Sequence, residues 1–186
     1  MVAVPSQVTV AVASKLPAAT WNDDVRDAIN FFVSNRPMTY LTQAVAQTGW
    51  VSASTNDITF TTEVLDRDGQ HSTASNTHRV VIGNTLGWYR VSGVVVFAGN
   101  TAATLLRANI SLNGTAVNGS YVSLGVAAAT LSSSATALST NSVLVQATTA
   151  TDWVSLQGLV TAASGTLGTA VSGAVTSSLT VEWVGS

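Results

Sequence analysis

The feature that most limits this chain's fold is an alternation of apolar side chains with period two, recurring from about Gln43 onward. Ile58, Phe60, Thr62 and Val64 alternate with Thr59, Thr61 and Glu63. Tyr89, Val91, Gly93, Val95 and Phe97 form one face of a second stretch. Its other face begins polar with Arg90 and Ser92 and turns apolar at Val94 and Val96, which predicts burial on both sides at that end. Leu106, Ala108, Ile110 and Leu112 alternate with Arg107, Asn109 and Ser111. Val154, Leu156, Gly158 and Val160 repeat the pattern, as do Leu179, Val181 and Trp183. Successive strand residues point to opposite faces, so each stretch reads as a strand with one buried side. Asn113-Gly114 directly after a strand is the strongest short hairpin signal, and Asn118-Gly119 is a second turn. Asp68-Gly69, Gly99-Asn100 and Gly165 mark further turns. Many short strands with no helix between them predict an all-β sandwich.

The first part of the chain reads differently, which divides it into residues 1–42 and 43–186. In residues 1–19, Val8, Val10 and Val12 alternate with Thr9 and Ala11 before Pro17 breaks the run, as in an extended arm. Residues 20–36 read as one helix, with Thr20 as N-cap, Asp23 in a partial capping box and Pro37 as the stop. Asp23, Asp24 and Asp27 lie in its first half, where the helix dipole favours acids. Trp21, Val25, Ala28, Ile29 and Phe32 share one face. A helix this short draws its stability from packing, so that face needs a partner: its own sandwich, a symmetry mate or another protein. An arm and helix ahead of a compact β domain suit an anchor.

Charge narrows the function classes. Only 9% of residues are charged, the net charge is −2 and 46% are hydrophobic, against roughly 25% charged in an ordinary soluble domain. That is the reverse of a disordered composition. Lys15 is the only lysine, so there is no basic footprint for nucleic acid. Apolar runs such as Val94 to Ala98 are too short to span a bilayer. Met1 to Val12 carries no basic side chain, so no secretory leader is expected. There is no cysteine for disulfides, thiolate metal sites or nucleophilic catalysis. Beyond Arg107 only Asp152 and Glu182 are charged. With a mean hydropathy of +0.36, residues 108–186 are expected to be core plus interface, buried against copies of the chain or another protein. Residues 125–142 approach low complexity and read either as a flexible loop or as flat strands packed on a neighbouring subunit.

Catalytic constellations are missing. His71 and His78 are the only histidines, and no zincin, nucleophile-elbow, phosphate-loop or dinucleotide motif occurs. No catalytic residue, cofactor or metal is therefore expected. The densest polar cluster runs Asp66-Arg67-Asp68-Gly69-Gln70-His71. It starts like a calcium loop, but the glycine comes early and Thr77 stands where the bidentate acid belongs. Asp66, Asp68 and His71 are thus expected to form a polar turn, the Asp side chains bonding their own backbone. Of the sequons at Asn109, Asn113 and Asn118, two are the Asn-Gly turns already described, and they are read as turns, not glycan sites. Trp183 is in phase with the core, whereas Trp88 and Trp153 fall on the opposite phase and face a subunit contact or solvent.

Three segments carry a resemblance: FTTEVLDRDGQHSTASNTHRVVI, LGWYRVSGVVVFAGN and LLRANISLNGTAVNGS, between Ile58 and Gly119. Their order resembles the complement-head/tumour-necrosis-factor-like jelly rolls of tailed-bacteriophage structural proteins. ATWNDDVRDAINFFVSNRP is similar to the helix that precedes such domains in virion proteins. The resemblance covers about three quarters of the chain, and the tail after Leu124 departs from it. It implies an all-β jelly-roll sandwich forming a homotrimer, one of the closed symmetric solutions. It also implies a non-enzymatic role on the outer surface of a virion. A capsid decoration or head-fibre protein would sit on the major capsid protein through an anchor-helix face of Trp21, Val25, Ile29 and Phe32. The alternative is a tail-tip or tail-fibre component that contacts tail proteins and a host surface glycan. The chain leaves no room for a fibre shaft, which favours decoration. A carbohydrate-active enzyme is the weakest reading, because Asp66 and Asp68 are its only carboxylate pair. Neither nucleic acid nor a membrane is an expected partner.

Overall fold

The computed structural model describes residues 17–125, 134–171 and 175–186. Residues 1–16 of the expected arm (1–19) and residues 126–133 of the low-complexity stretch lie outside the described residues. The chain enters through helix α1 (Ala18–Asn30), which continues as a wider π-type turn over Phe31–Asn35. Twelve strands follow among the described residues. The first six are β1 (Met38–Thr42), β2 (Thr55–Asp57), β3 (Thr62–Asp66), β4 (Val80–Val81), β5 (Gly87–Phe97) and β6 (Ala103–Leu112). The rest are β7 (Thr115–Ala116), β8 (Val122–Gly125), β9 (Thr136–Ser139), β10 (Val143–Ala147), β11 (Trp153–Ala162) and β12 (Ser178–Gly185).

They form two antiparallel sheets. One runs β10-β5-β12-β1-β3, with β9 also on β5; the other runs β2-β11-β6-β7, with β4 on β11 and β8 on β6. Long central strands set the register, Val181 opposite Val91 in one sheet and Leu156 opposite Ile110 in the other. The period-two faces meet between the sheets: Tyr89, Val91, Val95 and Phe97 pack with Leu106, Ile110, Leu156, Leu179 and Val181. Val96 is also buried and Val94 half-buried, so β5 is enclosed on both sides toward its end. Asn113 (φ +49) and Gly114 (φ +81) make the two-residue hairpin between β6 and β7 with both residues left-handed, as a type I′ turn requires.

Four expectations change. Residues 58–64 are not one strand: β2 lies in one sheet and β3 in the other, and the chain crosses between them. Ile58 and Phe60 fill the core during the crossing, their N–H groups donating to Leu156 and Thr77 carbonyls, so Val64 emerges exposed. The helix begins at Ala18, not Thr20. Pro17 occupies the N-cap position without a side-chain bond, and no acid lies in the first turn. Pro just ahead of two alanines, the best helix formers, starts the helix earlier than a Thr cap would. Strand β1 belongs to the sandwich, between β12 and β3, so the sheet begins after Pro37 and not at residue 43. Within the low-complexity stretch, β9 pairs with β5 of its own chain. No helix among the described residues is long and apolar enough to cross a membrane.

Candidate functional site

The helix stripe is the least covered apolar surface. Trp21, Val25, Ile29 and Phe32 are 58%, 37%, 55% and 59% exposed, and α1 has no buried residue. The sandwich takes Phe31 instead, which the periodicity does not single out. Phe31 is buried edge-on against Trp183 of β12, with ring centroids 5.2 Å apart. Phe31, at the start of the π-type turn, stands two residues after Ile29 and so about 200° round the helix from the stripe, whereas Phe32 stays in phase with it and outside. The foot of the helix is fixed a second time, where Arg36 Nη2 donates to Glu182 Oε1. Upstream, Arg26 lies between Asp23 (2.9 Å) and Asp27 (3.3 Å) on the open surface.

The outer face of the first sheet is the second apolar surface. Trp88 and Arg90 alternate with buried Tyr89 and Val91, so they point away from the core. Gln146 stands opposite Trp88, and Leu144 opposite Arg90. Trp88, Leu144, Leu86 and Val184 are all exposed large apolar residues around this region. Charge on β5, β10 and β12 is confined to Arg90 and Glu182, 3.8 Å apart. Trp88 thus lies outside the core, as its phase indicates. Trp153 is half-buried, with the Arg79 guanidinium 4.2 Å from its ring centroid and the His78 ring edge-on at 5.8 Å.

At the Asp66–His71 turn, Asp66 Oδ1 accepts the Gln70 N–H (2.9 Å) and Oδ2 accepts the His71 N–H (3.0 Å). Asp68 is buried, and Thr85 Oγ1 lies 3.1 Å from its Oδ2. The His71 ring is enclosed, its Nδ1 2.8 Å from Glu63 Oε1 and its Nε2 3.1 Å from the Thr77 carbonyl. Inward from the turn, Gln70 Nε2 donates to Tyr89 Oη (3.3 Å), which donates to the Thr85 carbonyl (2.7 Å). Burial, with Asp68 nearby, pushes the Tyr89 phenol well above its ordinary range. The three polar residues therefore form no open constellation: each is tied to the backbone or the core. No group of three His, Cys, Asp or Glu side chains among the described residues could hold a metal ion.

Two polar features escape a reading by periodicity. Asn109, Ser111, Ser155 and Gln157 sit on the faces of β6 and β11 opposite the core, yet are buried. Ser155 Oγ donates to Asp57 Oδ1 (2.7 Å), Gln157 Nε2 to the same oxygen (3.0 Å) and Asn109 Nδ2 to Gln157 Oε1 (2.9 Å). Asp152 closes the turn before β11. Its Oδ2 accepts the Thr148 and Thr149 N–H groups at 2.7 and 2.8 Å; its Oδ1 accepts from Asn113 Nδ2 and Thr149 Oγ1, both at 2.9 Å. Led by the Asn113 bond, these donors hold its carboxyl far below the usual range, although burial acts the other way. An acid between Thr148-Thr149 and a strand start was the available signal for this clamp.

No family model matches this chain, and no curated protein sequence does. Solved structures do. The globular domain of zebrafish complement 1qA protein superposes with a TM-score of 0.52 at 8% identity, covering 80% of this chain and 98% of that one. Murine APRIL at pH 8.0 gives 0.50 at 12% identity, covering 79% and 98%. At these identities the shared property is the fold. The sandwich is a jelly roll of the complement-head/tumour-necrosis-factor-like type.

Proposed function

We propose that this chain is a non-enzymatic structural protein of a tailed-bacteriophage virion. In this reading it is a homotrimeric capsid decoration or head-fibre protein, anchored on the major capsid protein by its N-terminal segment and displayed on the particle's outer surface. The observation that carries the reading is the bare stripe of Trp21, Val25, Ile29 and Phe32, on a helix whose foot is fixed to the jelly roll through Phe31 and Arg36. A helix that ignores its own domain is built to meet another surface. The neutral outer face around Trp88 and Leu144 supports side-by-side association, because interface cores favour aromatic residues and exclude charge. Many copies on one particle would add avidity to a weak individual contact.

The test replaces Trp21, Ile29 and Phe32 together with Glu and measures binding to particles lacking the protein. Deleting residues 1–36 is less clean, since it also strips Phe31 from Trp183. Loss of particle binding by a protein that still folds and associates is expected; full binding sinks the anchor. Imaging labelled particles decides the location. Label confined to the tail would replace the capsid assignment with a tail-tip component.

A further inference from the structure

A cleft of about 380 Å³ opens between the 69–79 loop and the turn before β11. Its lining includes Ser72, Ser75, Asn76, Arg79, Thr151 and Trp153. Arg79 is its distinctive member. Arg26, Arg36 and Arg90 each have a carboxylate partner. Arg79 is half-buried and has none among the described residues. Its Nε donates to His78 Nε2 at 3.0 Å, and its guanidinium carbon lies over the Trp153 ring, 4.2 Å from the centroid. Those two contacts hold the fork in place. The terminal nitrogens make no hydrogen bond within the described residues. A half-buried cation without a counter-charge is unfavourable. A pre-oriented fork with free donors matches an oxyanion in bidentate geometry.

Both walls are held before any guest arrives. On one side, Ser72 Oγ accepts the Ala74 and Ser75 N–H groups (3.3 and 3.2 Å), and the Arg79 N–H donates to the Asn76 carbonyl (2.9 Å). Behind that loop, His71 is clamped between Glu63 and Thr77. On the other side, Asp152 ties down Thr148 and Thr149. Burial lowers the His78 pKa, opposed by Asp57 and aided by Arg79, so its Nε2 stays an acceptor for Arg79 at neutral pH. Such preorganisation removes ordering losses on binding. The rim adds the Ser75 and Thr151 hydroxyls and the Asn76 amide, groups suited to sugar hydroxyls.

We propose that this cleft binds an acidic saccharide, its carboxylate or phosphate taken by the Arg79 fork over Trp153 and its hydroxyls by the Ser75, Asn76 and Thr151 rim. This goes beyond the virion reading and does not need it, because the cleft is built within one chain. A protein that binds acidic sugar but never joins particles, or the converse, separates the two.

The test titrates the full-length protein by tryptophan fluorescence and calorimetry. The probes are glucuronic acid, N-acetylneuraminic acid, glucose 6-phosphate, glucose, acetate and inorganic phosphate. Acidic sugars should saturate in the millimolar range, with glucose and the free anions at least tenfold weaker. Whether the two carboxylate sugars or the phosphate sugar binds more tightly identifies the anion. Arg79→Gln and Thr151→Glu should each weaken binding at least tenfold; Thr151 is exposed, so its variant tests the cleft without disturbing the core. Arg107→Gln, beside Tyr121 and away from the cleft lining, should leave binding unchanged. Saturation by glucose or by the free anions at equal strength would overturn the proposal. So would unchanged binding in both cleft variants, or no saturation by any acidic sugar.

Discussion

Asp152→Asn isolates a carboxylate tied to its own turn and to Asn113 of the neighbouring hairpin. Asp152 is 6% exposed and accepts two backbone N–H groups and the Thr148 hydroxyl through Oδ2, and two side-chain donors through Oδ1. An asparagine can keep the Oδ1 contacts. Its amide nitrogen then stands where Oδ2 stood and faces the Thr148 and Thr149 N–H groups donor to donor. Two charge-assisted bonds are lost, each about 1.5–3 kcal/mol. Such losses are not additive, and screening at a surface turn reduces them. A net loss of about 2–3 kcal/mol at pH 7 is expected, or a Tm lower by roughly 4–10 °C for a chain of this size.

The sign with pH follows from the depressed carboxyl. The unfolded group titrates near pH ~3.9. The Asp contribution is therefore complete above that pH and is lost as pH falls from there through the lower native value. Urea unfolding of both proteins at one fixed concentration, from pH 8 to pH 2.5, checks this. The gap should hold level down to about pH 5 and close below about pH 4. A gap under about 0.5 kcal/mol at neutral pH, which is ordinary surface noise, refutes the clamp. A gap that persists undiminished at the acid end refutes its electrostatic origin.

Three further outcomes are expected. Phe31→Ala should destabilise by about 3 kcal/mol, as for a buried aromatic, whereas exposed Phe32→Ala should change urea stability by under about 0.5 kcal/mol; equal effects would contradict the packing of Phe31 against Trp183. Gly93→Ala places a Cβ 2.9 Å from both the Ser178 carbonyl oxygen and Leu156 Cδ1, and should lower stability by about 1–3 kcal/mol through overpacking; a neutral thermal shift would count against that packing. Trp88→Lys with Leu144→Lys should convert the proposed trimers to monomers in sedimentation velocity at micromolar concentration, and an unchanged sedimentation coefficient would remove this face from the interface.

The long strands β5, β6, β11 and β12 were legible because each turns alternate residues to the core. Tyr89 to Phe97 and Leu179 to Trp183 show this directly. Alternation failed at residues 58–64, because a chain crossing between sheets also buries alternate residues without staying in either ladder. Phe31 was hidden for a different reason. It lies off the apolar stripe, on the side of the helix that periodicity assigns to solvent, and that side meets the sandwich. Ser155 and Gln157 looked like a solvated face because residue type alone does not show that Asp57 and Asn109 satisfy them. Nothing in the sequence singles out Arg79, since the missing acid partner is a fact of three-dimensional neighbourhood.

The two apolar surfaces are connected through one strand. Trp183 receives Phe31, Glu182 receives Arg36 and stands opposite Arg90, and Gly185 stands opposite Trp88. The foot of the helix and the neutral sheet face thus share the last turn of β12. Any association through Trp88 and Leu144 places copies of that foot near one another, and with them the bare stripes of Trp21, Ile29 and Phe32. The stripe of one chain is short, about three turns of helix, and few such contacts hold alone. Clustered copies present the same residues as one multivalent surface, so weakening the sheet contact should weaken anchoring although no anchor residue has changed.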